Sequence, residues 1–442
     1  MKQRITLCIF VLLSLSANAQ TVENGRQFEF GFEQRTRNEN LNNVFDFNDS
    51  LDDELIQVRY RTRAWMKAPF GGKLDLVVGL NQETKQILTP DRPFRFDEAI
   101  FETAYLDFKE FLTKGLSLRV GRQNLMRGEG FLLFEGTPGD GSRTMYFNAA
   151  VLAYAFKKSK IELMGISNPR TDRYLPRIHD RFRPIYDWNE SALGAYYTDG
   201  NFDRTSLEAY YFFKRETGDL RPATNPQHQG DRSLSTAGGR IVRKLPDGWS
   251  LTGELALQWG RQHPNLTVAG RGGYAYVKRT FGAGGRHYLL GGYIGMSGDD
   301  PSTPERIEDW DPLFSRWPKY SELLIYSFSR ERASSYWTNL GMWQAEYGWA
   351  PHKTVNVRAT LYRMNSFHPF RGNPAVFGQG TYRGLLPQVR VDYNPNKYWK
   401  THVIYEYLKP GDFYSARSAG YFLRFEAIFT YSGAIKLNGN RH

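Results

Sequence analysis

Apolar and polar side chains alternate along the chain in runs of roughly ten residues, each closed by a turn or loop. Phe28, Phe30 and Phe32 alternate with Glu29, Gly31 and Glu33, and Val58, Tyr60 and Thr62 with Arg59, Arg61 and Arg63. The same period recurs at Leu74–Asn81, Leu207–Lys214, Gln388–Tyr393 and Leu423–Thr430. A period of two places each set on one face of a strand. The connections alternate as well. Short ones carry turn residues, such as Lys157-Lys158, Asp199-Gly200-Asn201, Pro246-Asp247-Gly248 and Asn394-Pro395-Asn396. Between them lie long polar segments at about 38–51, 87–96, 128–142, 169–189, 217–231, 261–269, 298–335, 365–380 and 409–417. Nine long segments imply nine hairpins, hence 18 strands. The predicted fold is all-β: a single 18-stranded antiparallel transmembrane β-barrel with long extracellular loops and short periplasmic turns. A soluble sandwich would have to expose an apolar face along its whole length, which soluble proteins avoid.

Composition narrows this further. Mean hydropathy is −0.56, which excludes a bundle of membrane helices. Aromatic residues make up 15% of the chain, too many for a disordered polymer. Residues 1–19 read as a secretory leader: Lys2 and Arg4, then an apolar stretch, then Ala17-Asn18-Ala19 as a cleavage site. The barrel is expected over 20–431, followed by a tail at 432–442. The one cysteine, Cys8, lies in the leader, so the mature chain is expected to hold no disulfide and no thiolate metal site. No cofactor is expected. The formal net charge is +12, which points to anionic partners. Export argues against nucleic acid among them.

In each strand one face meets lipid and the other water. Arginine or lysine on the lipid face costs ~2–4 kcal/mol at mid-membrane, so charged positions are assigned to the lumen. The inward arginines are then Arg35, Arg37, Arg59, Arg61, Arg63, Arg119, Arg358, Arg390 and Arg424. Glu29, Glu33, Glu346, Asp392 and Glu426 are the inward counter-charges. Arg59, Arg61 and Arg63 would stack about 6.6 Å apart along one strand. Such a ladder of planar forks suits the regularly spaced carboxylates of a uronate polymer. It equally suits pairing with Glu29, Glu33 and Glu426 across the seam between first and last strands, which would brace the wall instead. The segment 298–335 carries six acidic residues between Asp299 and Asp311, with Trp310, Phe314, Trp317 and Tyr320. Those aromatics favour folding over or into the pore mouth.

Three segments resemble the alginate export family of outer-membrane porins. The first runs from Leu118-Arg119-Val120-Gly121-Arg122-Gln123 through Arg127-Gly128-Glu129-Gly130 and Gly141-Ser142-Arg143 to Tyr146-Phe147-Asn148. The second is Gly298-Asp299 with Asp311-Pro312-Leu313-Phe314 and Tyr320-Ser321. The third is Gly411-Asp412-Phe413-Tyr414 with the closing strand Tyr421 to Tyr431. The resemblance implies a channel for an anionic, alginate-like polysaccharide or oligosaccharide. It adds Arg122 and Arg143 to the candidate pore-lining or substrate-binding residues. Arg122 has the wrong parity for the lumen if Arg119 faces in, so it must snorkel or be turned by a bulge. Asn148 stands where an acidic neighbour is usual in the family.

The expected protein is therefore a monomeric barrel in contact with outer-membrane lipid and lipopolysaccharide. A general anion-preferring porin for small solutes is the alternative. An outer-membrane barrel enzyme is weaker, because none of the eight histidines has a nearby nucleophile-elbow serine or metal-ligand spacing.

Overall fold

A computed structural model of the chain describes residues 27–134, 146–176, 178, 188–217, 231–262, 265–316, 319–332 and 335–436. The expected leader lies outside them. Eighteen strands form the wall. β1 to β6 are Gln27–Asn42, Leu55–Phe70, Leu74–Thr89, Arg95–Phe108, Leu116–Gln123 and Phe147–Phe156. β7 to β12 are Ser159–Asn168, Asn189–Asp199, Thr205–Thr217, Arg232–Lys244, Trp249–Gln262 and Arg271–Phe281. β13 to β18 are His287–Met296, Leu340–His352, Val355–Asn365, Tyr382–Tyr393, Trp399–Pro410 and Gly420–Lys436. Each wall strand pairs antiparallel with its sequence neighbour. β1 pairs with β18 from Gln27↔Lys436 to Asn42↔Tyr421, which closes the sheet and leaves no edge.

The last strand runs to Lys436 and not to Tyr431 as the alternation suggests. Its extra residues pair with Gln27–Gly31 of β1, so the segment after 431 starts as wall. The segment 87–96 also shrinks, because β3 continues to Thr89 and β4 begins at Arg95.

Two solvents explain the alternation. Leu193, Leu255, Trp343 and Phe425 are each more than half exposed, and they share the outward face. At the short-turn end this face carries Phe156, Trp249, Phe281, Trp349, Tyr393 and Trp399; at the other end it carries Phe213, Trp259, Trp343 and Tyr407. Two aromatic girdles flanking an apolar band are the outer surface of a membrane barrel. Among the described residues no helix is long and apolar enough to cross a membrane; the strands make the crossing.

The lumen is not simply polar. At the end bearing the long connections, inward Leu41, Ile294, Met342, Met364, Ile404 and Phe422 belong to one buried apolar cluster. Further members come from segments folded inside the barrel, among them Phe47, Phe131–Leu133, Trp310, Leu313, Phe314, Tyr320, Leu323 and Phe328. The 297–339 connection contributes the most. It carries a short helix, α1 (Leu324–Glu331), whose Leu324 and Phe328 are buried. A short parallel pairing of Leu266–Val268 with Arg306–Ile307 ties this connection to the preceding one.

Candidate functional site: the lumen wall and the loop seated on it

The arginines of the first two strands all face inward, as parity requires, but they do not line an open ladder. Arg35 stands opposite Arg61, and Arg37 opposite Arg59. Like charges in facing positions repel, so carboxylates must intervene. Arg37 Nε donates to Glu426 (2.7 Å) and Arg61 Nη2 to Glu33 (2.8 Å). Arg63 bridges Glu102 and Glu33, and Arg35 lies 3.9 Å from Glu426. Glu39 is the hub. It takes Arg59 at 3.1 Å and Arg424 at 2.7 Å, lies 3.6 Å from Arg37, and accepts from Gln57 (2.8 Å). Its side chain is 0% exposed, and that of Arg35 is 2%. Glu83 faces Arg61 from β3. With Glu322 from the loop, Arg35, Arg37, Arg59, Arg61, Arg63 and Arg424 meet as many carboxylates as there are guanidinium groups. This part of the wall is a neutral brace. Arg59, Arg61 and Arg63, expected as a ladder open to a polyanion, are each held by a carboxylate, and Arg35, Arg37 and Arg424, expected to line the pore, are buried in the same network, because burial leaves no uncompensated charge tolerable.

The accessible basic residues are elsewhere. The side chains of Arg358, Arg119 and Arg390 are 43%, 38% and 26% exposed. All three lie toward the short-turn end. Arg358 and Arg390 face each other across β15 and β16 and share one acid, Asp392, which lies 2.7 Å from Arg390 and 4.0 Å from Arg358. Arg119 donates to Asp107 (2.9 Å) and lies over the Tyr105 ring. Glu29 pairs with Lys67 at 2.8 Å in a half-exposed position. Glu346 lies one register step from Arg358 on the neighbouring strand and makes no direct ion pair with it. It accepts from Tyr288, Thr360 and Gln344, all neutral.

Arg122 is corrected as a pore-lining residue. It shares the outward face of β5 with Val120, yet it is buried. The segment after β7 folds down so that Asp172 meets Arg122 at 2.8 Å, while Asn148 and the Phe101 carbonyl each accept at 3.0 Å. The counter-charge that Asn148 lacks is thus supplied by Asp172. Removing one partner of a buried pair typically costs about 3–5 kcal/mol. Asp172→Ala should lower folding stability by that order in a urea titration within lipid vesicles; an unchanged midpoint would show that Arg122 finds solvent instead. Arg143 lies outside the described residues.

Residues missed in the sequence hold the loop. Lys214 and Arg232 project inward from β9 and β10 and meet the loop's Asp311 at 3.8 and 3.0 Å. Arg383 grips Glu331 of α1 with two parallel bonds of 2.7 and 2.6 Å. Arg424 grips Glu322 the same way, at 2.7 and 2.8 Å. Arg383 reaches the lumen only through a bulge. Met364 pairs with Gly384 and Asn365 with Tyr382, so Arg383 is the extra residue and the parity inverts. Gly384 has φ +134°, and a Cβ there would meet the Lys409 carbonyl at 2.2 Å. An arginine beside a strand-interior glycine was the available signal. Glu406 completes the seat, accepting from Ser321 (2.5 Å), the Glu322 and Leu323 amides (2.9 and 3.0 Å) and Gln388 (2.7 Å).

One loop cation, Lys319, is partly buried. Burial pushes the Lys319 ammonium down to about 8; Arg240 acts in the same direction, against Glu129 and Glu254. A free lysine titrates near about 10.4. Between these values the docked loop binds fewer protons than a released one, so docking gains stability as pH rises. If the docked loop obstructs current, conductance should fall between about pH 8 and about pH 10, and Lys319→Met should flatten the profile. A rise with pH in the parent protein would contradict this placement.

Residues 26–422 match the family model described as alginate export. No curated protein matches the chain. Among solved structures, OpdK of Pseudomonas aeruginosa, crystallised with vanillate, is 12% identical with a TM-score of 0.57, covering 92% of this chain and 99% of its own. OccK2 (OpdF) of the same organism, in complex with glucuronate, is 13% identical with a TM-score of 0.56, covering 92% and 98%. OprD, also from Pseudomonas aeruginosa, is 10% identical with a TM-score of 0.57, covering 92% and 95%. The closed barrel, its two girdles and these likenesses define an outer-membrane β-barrel channel. The chain belongs to the alginate export family.

Proposed function

We propose that the barrel passes carboxylate-bearing, uronate-type polysaccharide or oligosaccharide across the outer membrane. The long connections would face the cell exterior and the short turns the periplasm, as in barrels of this kind. The reading rests chiefly on the exposed group of Arg358, Arg390 and Arg119 in the lumen, where Arg358 and Arg390 share Asp392. A low-dielectric wall focuses such a field and raises the local anion concentration. Arginine stays charged at any working pH and offers a fork that fits carboxylate. The family match supports a polyanionic cargo, and a glucuronate-bound barrel of similar fold supports a uronate.

A small-anion porin is the second reading. It is favoured by the apolar plug at the long-connection end, which leaves little width for a polymer in this state. Block of planar-bilayer current separates the two. Polygalacturonate and alginate should block at concentrations where neutral dextran of equal length does not. Equal block by dextran, or none by either acid polymer, would remove the polyuronate reading.

A further inference from the structure

The loop presents carboxylates to the wall in the geometry that a uronate would use. Glu322 on Arg424 and Glu331 on Arg383 are both fork-to-fork pairs, with every bond between 2.6 and 2.8 Å. Asp311 sits on Lys214 and Arg232. All three wall sites are buried beneath the loop, one on β9 and β10, one on β16 and one on β18. A guanidinium fork recognises two carboxylate oxygens and not the chain that carries them.

We propose that these three sites are carboxylate subsites for the permeant, and that the 297–339 loop occupies them as an internal stand-in. A polyuronate entering the lumen then displaces the loop by exchanging carboxylate for carboxylate. This rests on the polyuronate reading above. The exchange conserves charge at every site, so no guanidinium is left buried and unpaired during opening. A single uronate competes poorly, because the tethered loop enjoys an effective concentration near the millimolar range. A chain of linked uronates meets several sites together and gains the same advantage. Opening should therefore depend on polymer length as well as on charge.

Ser327 on α1 provides the readout. It is 1% exposed, and its hydroxyl donates to the Leu324 carbonyl within the helix. The barrel over 27–436 contains no cysteine, so Ser327→Cys places one thiol under the docked loop. In lipid vesicles, a galacturonate hexamer should speed maleimide labelling of this thiol at least tenfold. Galacturonate monomer at equal carboxylate concentration, and a neutral maltose-type hexamer, should not. Glu322→Gln with Glu331→Gln, in the same background, should label fast without any ligand. If that double variant does not assemble, Glu331→Gln alone should show a smaller rise in the same direction. Block of current by the hexamer with labelling unchanged would overturn the displacement model and leave the channel reading intact. A hexamer that neither blocks nor alters labelling would overturn both.

Discussion

Glu39→Ala should cost the barrel at least about 3–5 kcal/mol, the usual result of removing one side of a buried ion pair. Glu39 is fully buried and shared by Arg37, Arg59 and Arg424. Arg37 keeps Glu426 and Arg424 keeps Glu322 after the change, but Arg59 loses its one close carboxylate. Three guanidinium groups then repel across the seam where the first and last strands meet. The matched control is Glu29→Ala, five repeats of the pleat away on the same face. Its partner Lys67 is partly exposed, and such pairs contribute about 0–1 kcal/mol. Urea titration of the folded form in vesicles should separate the two variants clearly. Equal midpoints would mean that the brace is solvated and that the seam does not depend on it. The same logic changes the expectation for Arg59, Arg61 and Arg63. Replacing all three by glutamine would strand Glu33 and Glu102 and take one of three arginines from Glu39, so it would weaken assembly before it altered selectivity.

Replacing 298–338 by a short Gly-Ser turn should raise single-channel conductance severalfold. The loop places Trp310, Leu313, Phe314, Leu323 and Phe328 in the middle of the lumen, packed against Phe131, Phe147 and Trp337. Current cannot pass through side chains packed at that density. The cost is exposure of inward Ile294, Met342, Ile404 and Phe422, at about 25 cal/mol per Å² of apolar surface, so the variant should be open but less stable. A conductance equal to that of the parent would show that the ion path bypasses the loop, and would limit the loop to a bracing role.

The wall was legible because lipid and water impose a period of two that no other arrangement satisfies. Strand ends were less so. Asn38-Glu39-Asn40 reads as a loop, because outward positions beyond the hydrocarbon need not be apolar, yet β1 continues to Asn42. The hub carboxylate was lost with that boundary. Apolar residues such as Ile404 and Phe422 broke the rule from the other side, facing a lumen that the loops had made apolar. The inward folding of 298–335 could be anticipated from its aromatics. Its partners could not, since Glu322–Arg424 and Glu331–Arg383 join positions set only by closure of the barrel and by the bulge at Arg383. Arg122 carried a family motif, but the sequence did not show that Asp172 would fold back to cover it.

We propose that Arg119, Arg358 and Arg390 make the open part of the lumen favour anions. Reversal potential in a potassium chloride gradient across a planar bilayer tests it most directly. The parent channel should give the sign of chloride preference, and Arg119→Gln with Arg358→Gln and Arg390→Gln should move it toward potassium. A potassium-selective parent, or a triple variant that matches it, would contradict the account.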